Sequence, residues 1–231
     1  MGIKQLNSFL KKNCVDSIKK IKLKELLGKK IAIDISIYLY KFLEEGSLID
    51  NLYLMIGLFR KYNIVPVFIF DGKPPKEKYA LLEERRNKKK LAKDHYLNLK
   101  NKLIELKKVE SVNNKEMILK LESLMKEEYK KTIKVTYENV KEAKCLIKAY
   151  GACYLDAEGE ADVLCAELVK NKVVYGCLSE DMDMFVYGCN RIFRDINIYN
   201  ETLQYYDYFK ILKELKMSSK EFREICWISN M

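Results

Sequence analysis

The sequence predicts an α/β fold, a mostly parallel central sheet flanked by helices on both faces. Three observations predict it. Residues 30–35 (KIAIDI) and 65–70 (VPVFIF) are continuous apolar runs, the pattern of strands buried on both faces rather than one. Longer stretches with helical spacing separate such runs, and strand-helix-strand alternation generates parallel pairing. With 48% hydrophobic residues over 231 positions, and only 3 Pro and 9 Gly, the chain can bury one sizeable core.

Taken in order, the first strand is expected over 30–35, followed by helices over 37–43 and 48–62. A second strand covers 65–70. After a long gap come a helix over 137–150, a strand over 151–155, a helix over 161–170, and strands over 173–178 and 191–193. The gap, from Lys76 to about Lys134, carries no strand signal and is dominated by Lys, Arg and Glu. It opens on Arg85-Arg86-Asn87-Lys88-Lys89-Lys90, and Leu91, Leu99, Leu103, Ile104 and Leu106 give it a thin apolar stripe. Two readings stand: a helical insertion projecting from the sheet, or a solvated charged helix with no partner. The chain divides as one domain in three parts, 1–85, the insertion 86–135, and 136–231.

Charge and cysteine usage narrow the function. Forty-three Lys+Arg against 33 Asp+Glu leave a net charge of +10, so an anionic partner is expected. No run of about 18 uncharged apolar residues is present, so no membrane segment is expected. Seven cysteines, odd in number and without a Cys-x-x-Cys pair, read as reduced core thiols of an intracellular protein. The single histidine, His95, lies in a charged stretch and reads as a surface helix residue. Neither a phosphate-cradling glycine loop nor a Gly-x-Ser-x-Gly elbow is present.

The carboxylates carry the chemistry. In open parallel sheets, functional groups gather beyond the carboxyl ends of the strands. Asp34 ends the first apolar run and Asp71 follows the second; Asp156, Glu158, Glu160 and Asp162 follow the third, and Glu180, Asp181 and Asp183 the fourth. Singly, Asp34 and Asp71 read as helix caps or turn residues. Acidic residues after four successive strands read together as a metal site, because converging carboxylates repel unless cations neutralise them. The pairs Glu160/Asp162 and Asp181/Asp183 suit turns, where residues two apart can share a face. Oxygen-only ligands point to Mg²⁺ or Mn²⁺, and two such ions about 4 Å apart can activate water and stabilise a leaving oxygen.

The segments MGIKQL, KIAIDISIYLYKFL, VFIFDGKPPKEK, YLDAEGEADVLCAEL and LSEDMDMFVYG resemble motifs of the flap endonuclease family, the structure-specific 5′ nuclease group that includes the XPG-type repair nucleases. The resemblance runs over nearly the whole chain and is weak across roughly 90 to 135. It implies a PIN-like 5′ nuclease fold with a helical arch. It also implies Asp34, Asp71, Glu160, Asp162, Asp181 and Asp183 as ligands of two Mg²⁺ ions, with Mn²⁺ as a substitute, and Glu158 outside the ligand set. Lys78 and Arg85, seven apart, would position the scissile phosphate; as residues alone they are two members of a solvated basic face. Gly2, Tyr40, Lys78, Arg85, Arg86, Lys88 and Lys89 would contact nucleic acid, although Tyr40 otherwise reads as core.

The expected activity is 5′ flap endonuclease and 5′–3′ exonuclease cleavage of DNA in replication, repair or recombination. The implied partners are branched or flapped DNA and, in a longer form, a sliding clamp or replication factor. A monomer is expected, in the nucleus or, for a large DNA virus, the cytoplasm. The sequence departs from the family's pattern from residue 222 on. Where a Gly-x-Asp-Tyr segment with one more ligand and a helix-two-turn-helix duplex clamp are expected, it reads FREICWISNM and stops. Slow cleavage, or a catalytically silent branched-DNA-binding module, is the corresponding expectation.

Overall fold

A computed structural model describes residues 3, 5–108 and 114–228. Helix α1 (Leu6–Asn13) leads into strand β1 (Ile18–Lys22), a short 3₁₀ turn (Leu23–Leu26) and β2 (Lys30–Asp34). Helices α2 (Ile35–Glu44) and α3 (Leu48–Lys61) follow, then β3 (Val65–Phe70). After a 3₁₀ turn at Lys76–Lys78 come the long helices α4 (Tyr79–Lys108) and α5 (Asn114–Thr132). The remainder alternates: α6 (Tyr137–Ala149), β4 (Cys153–Asp156), α7 (Ala161–Lys170), β5 (Gly176–Leu178), α8 (Asp183–Val186), β6 (Arg191–Asn197), β7 (Thr202–Asp207), α9 (Tyr208–Leu215) and α10 (Ser219–Ile228).

The seven strands form one sheet in the order β1-β7-β6-β5-β2-β3-β4. The five strands β4, β3, β2, β5 and β6 run parallel, and β7 and β1 close one side antiparallel. The expected parallel core is therefore present, and the antiparallel pair is an addition to it. Alternate residues of the central strands feed two cores. Ile31, Ile33, Phe68 and Phe70 pack under α2, α3 and α6, whereas Ala32, Ile69 and Cys177 face α7, α8 and α9. Carboxyl ends of the parallel strands consequently open to one edge, between the two helical layers, and four acidic turns stand there.

Helices α4 and α5 pack mainly on each other as an antiparallel hairpin. From residue 83 on, the less exposed positions of α4 are 89, 92, 96, 99, 103 and 106, and those of α5 are 118, 121, 125, 128 and 132, both stepping by three and four. That spacing is a coiled-coil seam. Leu99, Leu103 and Leu106 belong to it as the stripe predicts, whereas Leu91 and Ile104 face solvent because each sits one position off the seam. The reading of the gap as an unpartnered charged helix is thus replaced by a hairpin whose arms cover each other. Its base leans on α2, through Lys89 Nζ 4.8 Å over the Tyr40 ring and a Lys130–Glu44 ion pair at 2.5 Å. His95 is exposed on α4. All seven thiols are free; five are buried, and Cys145 and Cys153 are exposed. No helix among the described residues is long and apolar enough to cross a membrane.

Candidate metal centre and nucleic-acid cleft

Each acidic turn places its carboxylate by a local bond. Asp34, the last residue of β2, accepts the Ser36 N–H at 3.3 Å and so caps α2. Its second oxygen accepts from the Ser179 hydroxyl at 2.9 Å. Asp71 reaches across to α7, taking the Ala161 N–H at 2.9 Å, and also the Ser36 hydroxyl at 2.5 Å. Ser179 is fully buried and accepts the Asp181 N–H at 3.1 Å, while Asp181 accepts the Asp183 N–H at 2.9 Å. Asp162 holds the Val163 N–H at 2.7 Å. Asp34 therefore caps α2 with one oxygen while its carboxylate also lines the cleft beyond the strand ends.

Gly72 locks two of these turns together. Its N–H donates to the Gly159 carbonyl at 2.7 Å, and the Lys73 N–H to that of Glu158 at 3.2 Å. A Cβ at position 72 would stand 1.9 Å from the Ala157 carbonyl oxygen and 2.7 Å from that of Glu158. Only glycine admits this approach, which sets Asp71 beside the Glu160/Asp162 turn.

One cleft of about 1070 Å³ collects the predicted residues. Asp34, Asp71, Glu160, Asp162, Asp181 and Asp183 all line it, and so do Lys78, Arg85 and Tyr40. Ser36, Gly72, Pro74 and Gly159 also line it, and Ile37, Leu81 and Leu82 give it an apolar wall. Tyr40 is 44% exposed, which corrects its reading as core; it sits on the outer face of α2 with Lys89 above it. Arg86 and Lys88 are exposed farther along α4, where Lys88 pairs with Glu84 at 2.5 Å. Asp156 turns away to Lys144, at 2.5 Å, and the Glu158 side chain is exposed. Gly2 lies outside the described residues. Ser36 and Ser179, which orient Asp71 and Asp34, carry no sequence signal beyond their place next to acidic turns.

Burial governs the electrostatics, and like charges add to it. Burial pushes Asp34 up to about 7, and the neighbouring Asp71 charge adds to it. Asp162 and Asp183 are each pushed up to about 6, again chiefly by burial, with Asp181 contributing to both. Burial opposes the Lys78 charge, but its pairing with Glu160, and then Asp162 and Asp183, holds its pKa above the ordinary lysine value. Tyr187 behind the cluster is also raised, by burial and then by Asp162 and Glu160. Such a cluster stores repulsion that a bound cation would relieve.

The donor set fits a hard divalent cation. It is oxygen only, and Asp183 Oδ1 is buried with no hydrogen-bond partner among the described residues. As the side chains stand, no three among the described residues are set to hold an ion. The reason lies in the bonds these groups already make: Asp71, Asp162 and Asp181 accept from the chain's own N–H groups, and Lys78 occupies Glu160.

Comparison with known proteins shows the family. The XPG N-terminal domain family matches residues 1–93 and the XPG I-region matches residues 151–230. Flap endonuclease 1 of Debaryomyces hansenii is 32% identical over 246 residues, covering 98% of this chain and 60% of that protein. The Chlamydomonas reinhardtii flap endonuclease 1 is 30% identical over 245 residues, covering 98% and 58%. Among solved structures, the catalytic core of Rad2 in complex with DNA substrate matches 97% of this chain and 60% of that one, with a TM-score of 0.65 and 25% identity. Flap endonuclease-1 from Methanococcus jannaschii matches 97% and 69%, with a TM-score of 0.61 and 24% identity. The chain spans about 60% of the length of the curated relatives named here.

Proposed function

This chain belongs to the flap endonuclease/XPG family, and from that premise we propose that it is a structure-specific 5′ flap endonuclease and 5′–3′ exonuclease. Its substrate is branched or flapped DNA, and its reaction is phosphodiester hydrolysis in replication, repair or recombination. The observation that carries this reading is the single cleft in which six carboxylates meet Lys78, Arg85 and Tyr40. Asp34, Asp71, Glu160, Asp162, Asp181 and Asp183 would hold two Mg²⁺ ions, with Mn²⁺ as a substitute. When bound, such ions activate a water and neutralise charge on the leaving oxygen.

The chain's own groups do the rest. Lys78 neutralises Glu160 in the free protein and is positioned to exchange that partner for a phosphate oxygen. Arg85, in the second turn of α4, offers a second cation lining the cleft. Tyr40 presents an exposed ring for stacking a nucleobase, and Arg86, Lys88 and Lys89 attract the backbone without reading sequence. Gly2 would also contact nucleic acid in this proposal. The protein acts as a monomer in the nucleus, or in the cytoplasm if it is viral, and a sliding clamp or replication factor would be the partner of a longer form.

The test is cleavage of a labelled flap by the 231-residue chain at low salt with Mg²⁺. Asp34→Asn and Asp181→Asn should lower the rate by roughly 10²–10³-fold or more while leaving DNA affinity intact or higher, since each removes negative charge facing phosphate. Unchanged rates in either variant overturn the metal assignment. Tight flap binding by the wild-type chain with no cleavage in Mg²⁺ or Mn²⁺ makes it a DNA-binding module instead.

A further inference from the structure

The turn that carries Asp181 and Asp183 has to stand still among like charges before any cation arrives, and its own bonds are few. Two residues outside the proposed ligand set grip it. Arg194 on β6 is 7% exposed, and its guanidinium donates to the Glu180 carbonyl oxygen at 2.7 Å and to the Met182 thioether sulfur. Asp181 is therefore flanked on both sides by residues that one arginine holds. The guanidinium also lies 5.8 Å from the centre of the Tyr206 ring, so packing fixes it from the far side.

The Glu180 side chain points away from the cleft and ties the same turn to two other elements. Its Oε1 accepts from the buried Tyr38 hydroxyl of α2 at 3.1 Å and from the Asp195 N–H at 2.8 Å; its Oε2 lies 3.6 Å from Arg194 Nε. Asp195 sits at φ 51, in the left-handed region, at the point where the β6–β7 ladder shifts register between Arg194 and Asn197. That irregularity turns the Asp195 N–H out of the ladder and onto Glu180.

We infer that Arg194 and Glu180 are positioning residues that set the Asp181/Asp183 turn in its cation-binding geometry. The inference rests on the metal-centre reading above and deepens it. An arginine is needed because its planar fork donates to a carbonyl and a thioether at once while its charge stays 3.6 Å from the Glu180 carboxylate, whereas a lysine offers one point charge. Glu180 acts through two accepted hydrogen bonds on one oxygen, which a glutamine can also accept.

The experiment is Mn²⁺ binding to the DNA-free chain, read by electron paramagnetic resonance of free Mn²⁺, alongside the Mg²⁺ concentration for half-maximal flap cleavage and the thermal midpoint. Arg194→Lys and Glu180→Ala should weaken Mn²⁺ binding about tenfold or more, as loss of groups behind metal ligands does, and raise the Mg²⁺ requirement in step. DNA affinity should stay within about twofold. Glu180→Gln, which keeps the size and the accepting oxygen, should stay within about threefold of wild type. Folded Arg194→Lys and Glu180→Ala chains that bind Mn²⁺ as wild type does overturn the inference alone, and so does a Glu180→Gln chain that loses as much as Glu180→Ala. A wild-type chain that binds no Mn²⁺ overturns the metal centre and this inference with it.

Discussion

At the level of single residues, the cleft ties folding to protons. Asp34 is held near 7, and Asp162 and Asp183 near 6, whereas carboxyls of an unfolded chain titrate near 4. Between those values the folded chain binds protons that the unfolded chain has released. Their contribution to stability is complete below about pH 4 and is lost as pH rises through 6 to 7. In a chelator, the thermal midpoint should fall between about pH 5 and 8, more steeply for wild type than for Asp34→Asn, and Mg²⁺ should offset the fall at the alkaline end. An equal slope for the two chains would contradict the assignment of Asp34. The basic residues separate by the same logic: Lys78→Ala and Arg85→Ala should each slow single-turnover cleavage roughly 10²-fold, and Lys102→Ala should only trim affinity. The acidic set was legible because carboxylates after four strands form a pattern; Ser179 and Arg194 were not, since their work depends on contacts across the fold.

Among the elements, legibility followed burial. Strands β2 and β3 are nearly continuous apolar runs because helices cover both faces, and their runs coincide with the strands to within a residue. Strand β1 reads IKKIK, with three lysines in five residues, and β7 reads TLQYYD; both are half-covered and pair antiparallel at one side of the sheet, so neither produces a run. The hairpin seam was half legible, since adjacent Leu103 and Ile104 cannot both face α5 and only its three-four stepping across two helices tells them apart. The loop after β3 gives the sharpest test at this scale. Gly72→Ala drives a methyl into the Ala157 carbonyl, and backbone on both sides must move. The change should destabilise the chain by about 3 kcal/mol or more and impair cation binding together, because the displaced loop carries Asp71. Denaturant unfolding and Mn²⁺ titration of the one variant check both.

Over the whole molecule, the charge of +10 is not spread along the hairpin. Its far half, residues 97–128, holds seven lysines and six glutamates, close to neutral. The near part of α4, residues 79–96, holds six Lys or Arg against three acids, and 129–136 adds Lys130, Lys131 and Lys134 with no acid. The positive field is therefore concentrated where the hairpin meets α2 and overlooks the carboxylate cleft, a cationic collar around an anionic centre. DNA attraction should follow that collar and not the length of the arms. Joining 96 to 129 through a short glycine linker is feasible, because the Tyr96 and Tyr129 rings lie 5.6 Å apart, and it excises the far half of the seam without touching the body. The shortened chain should keep its thermal midpoint and its dependence of DNA affinity on salt. Replacing Arg86, Lys88, Lys89 and Lys90 with glutamine should flatten that dependence by about 0.7 in log–log slope for each single-strand phosphate that is no longer neutralised. Filter binding across a salt series distinguishes the two, and a slope that collapses on excision but survives the glutamines would put the attraction on the far arms instead.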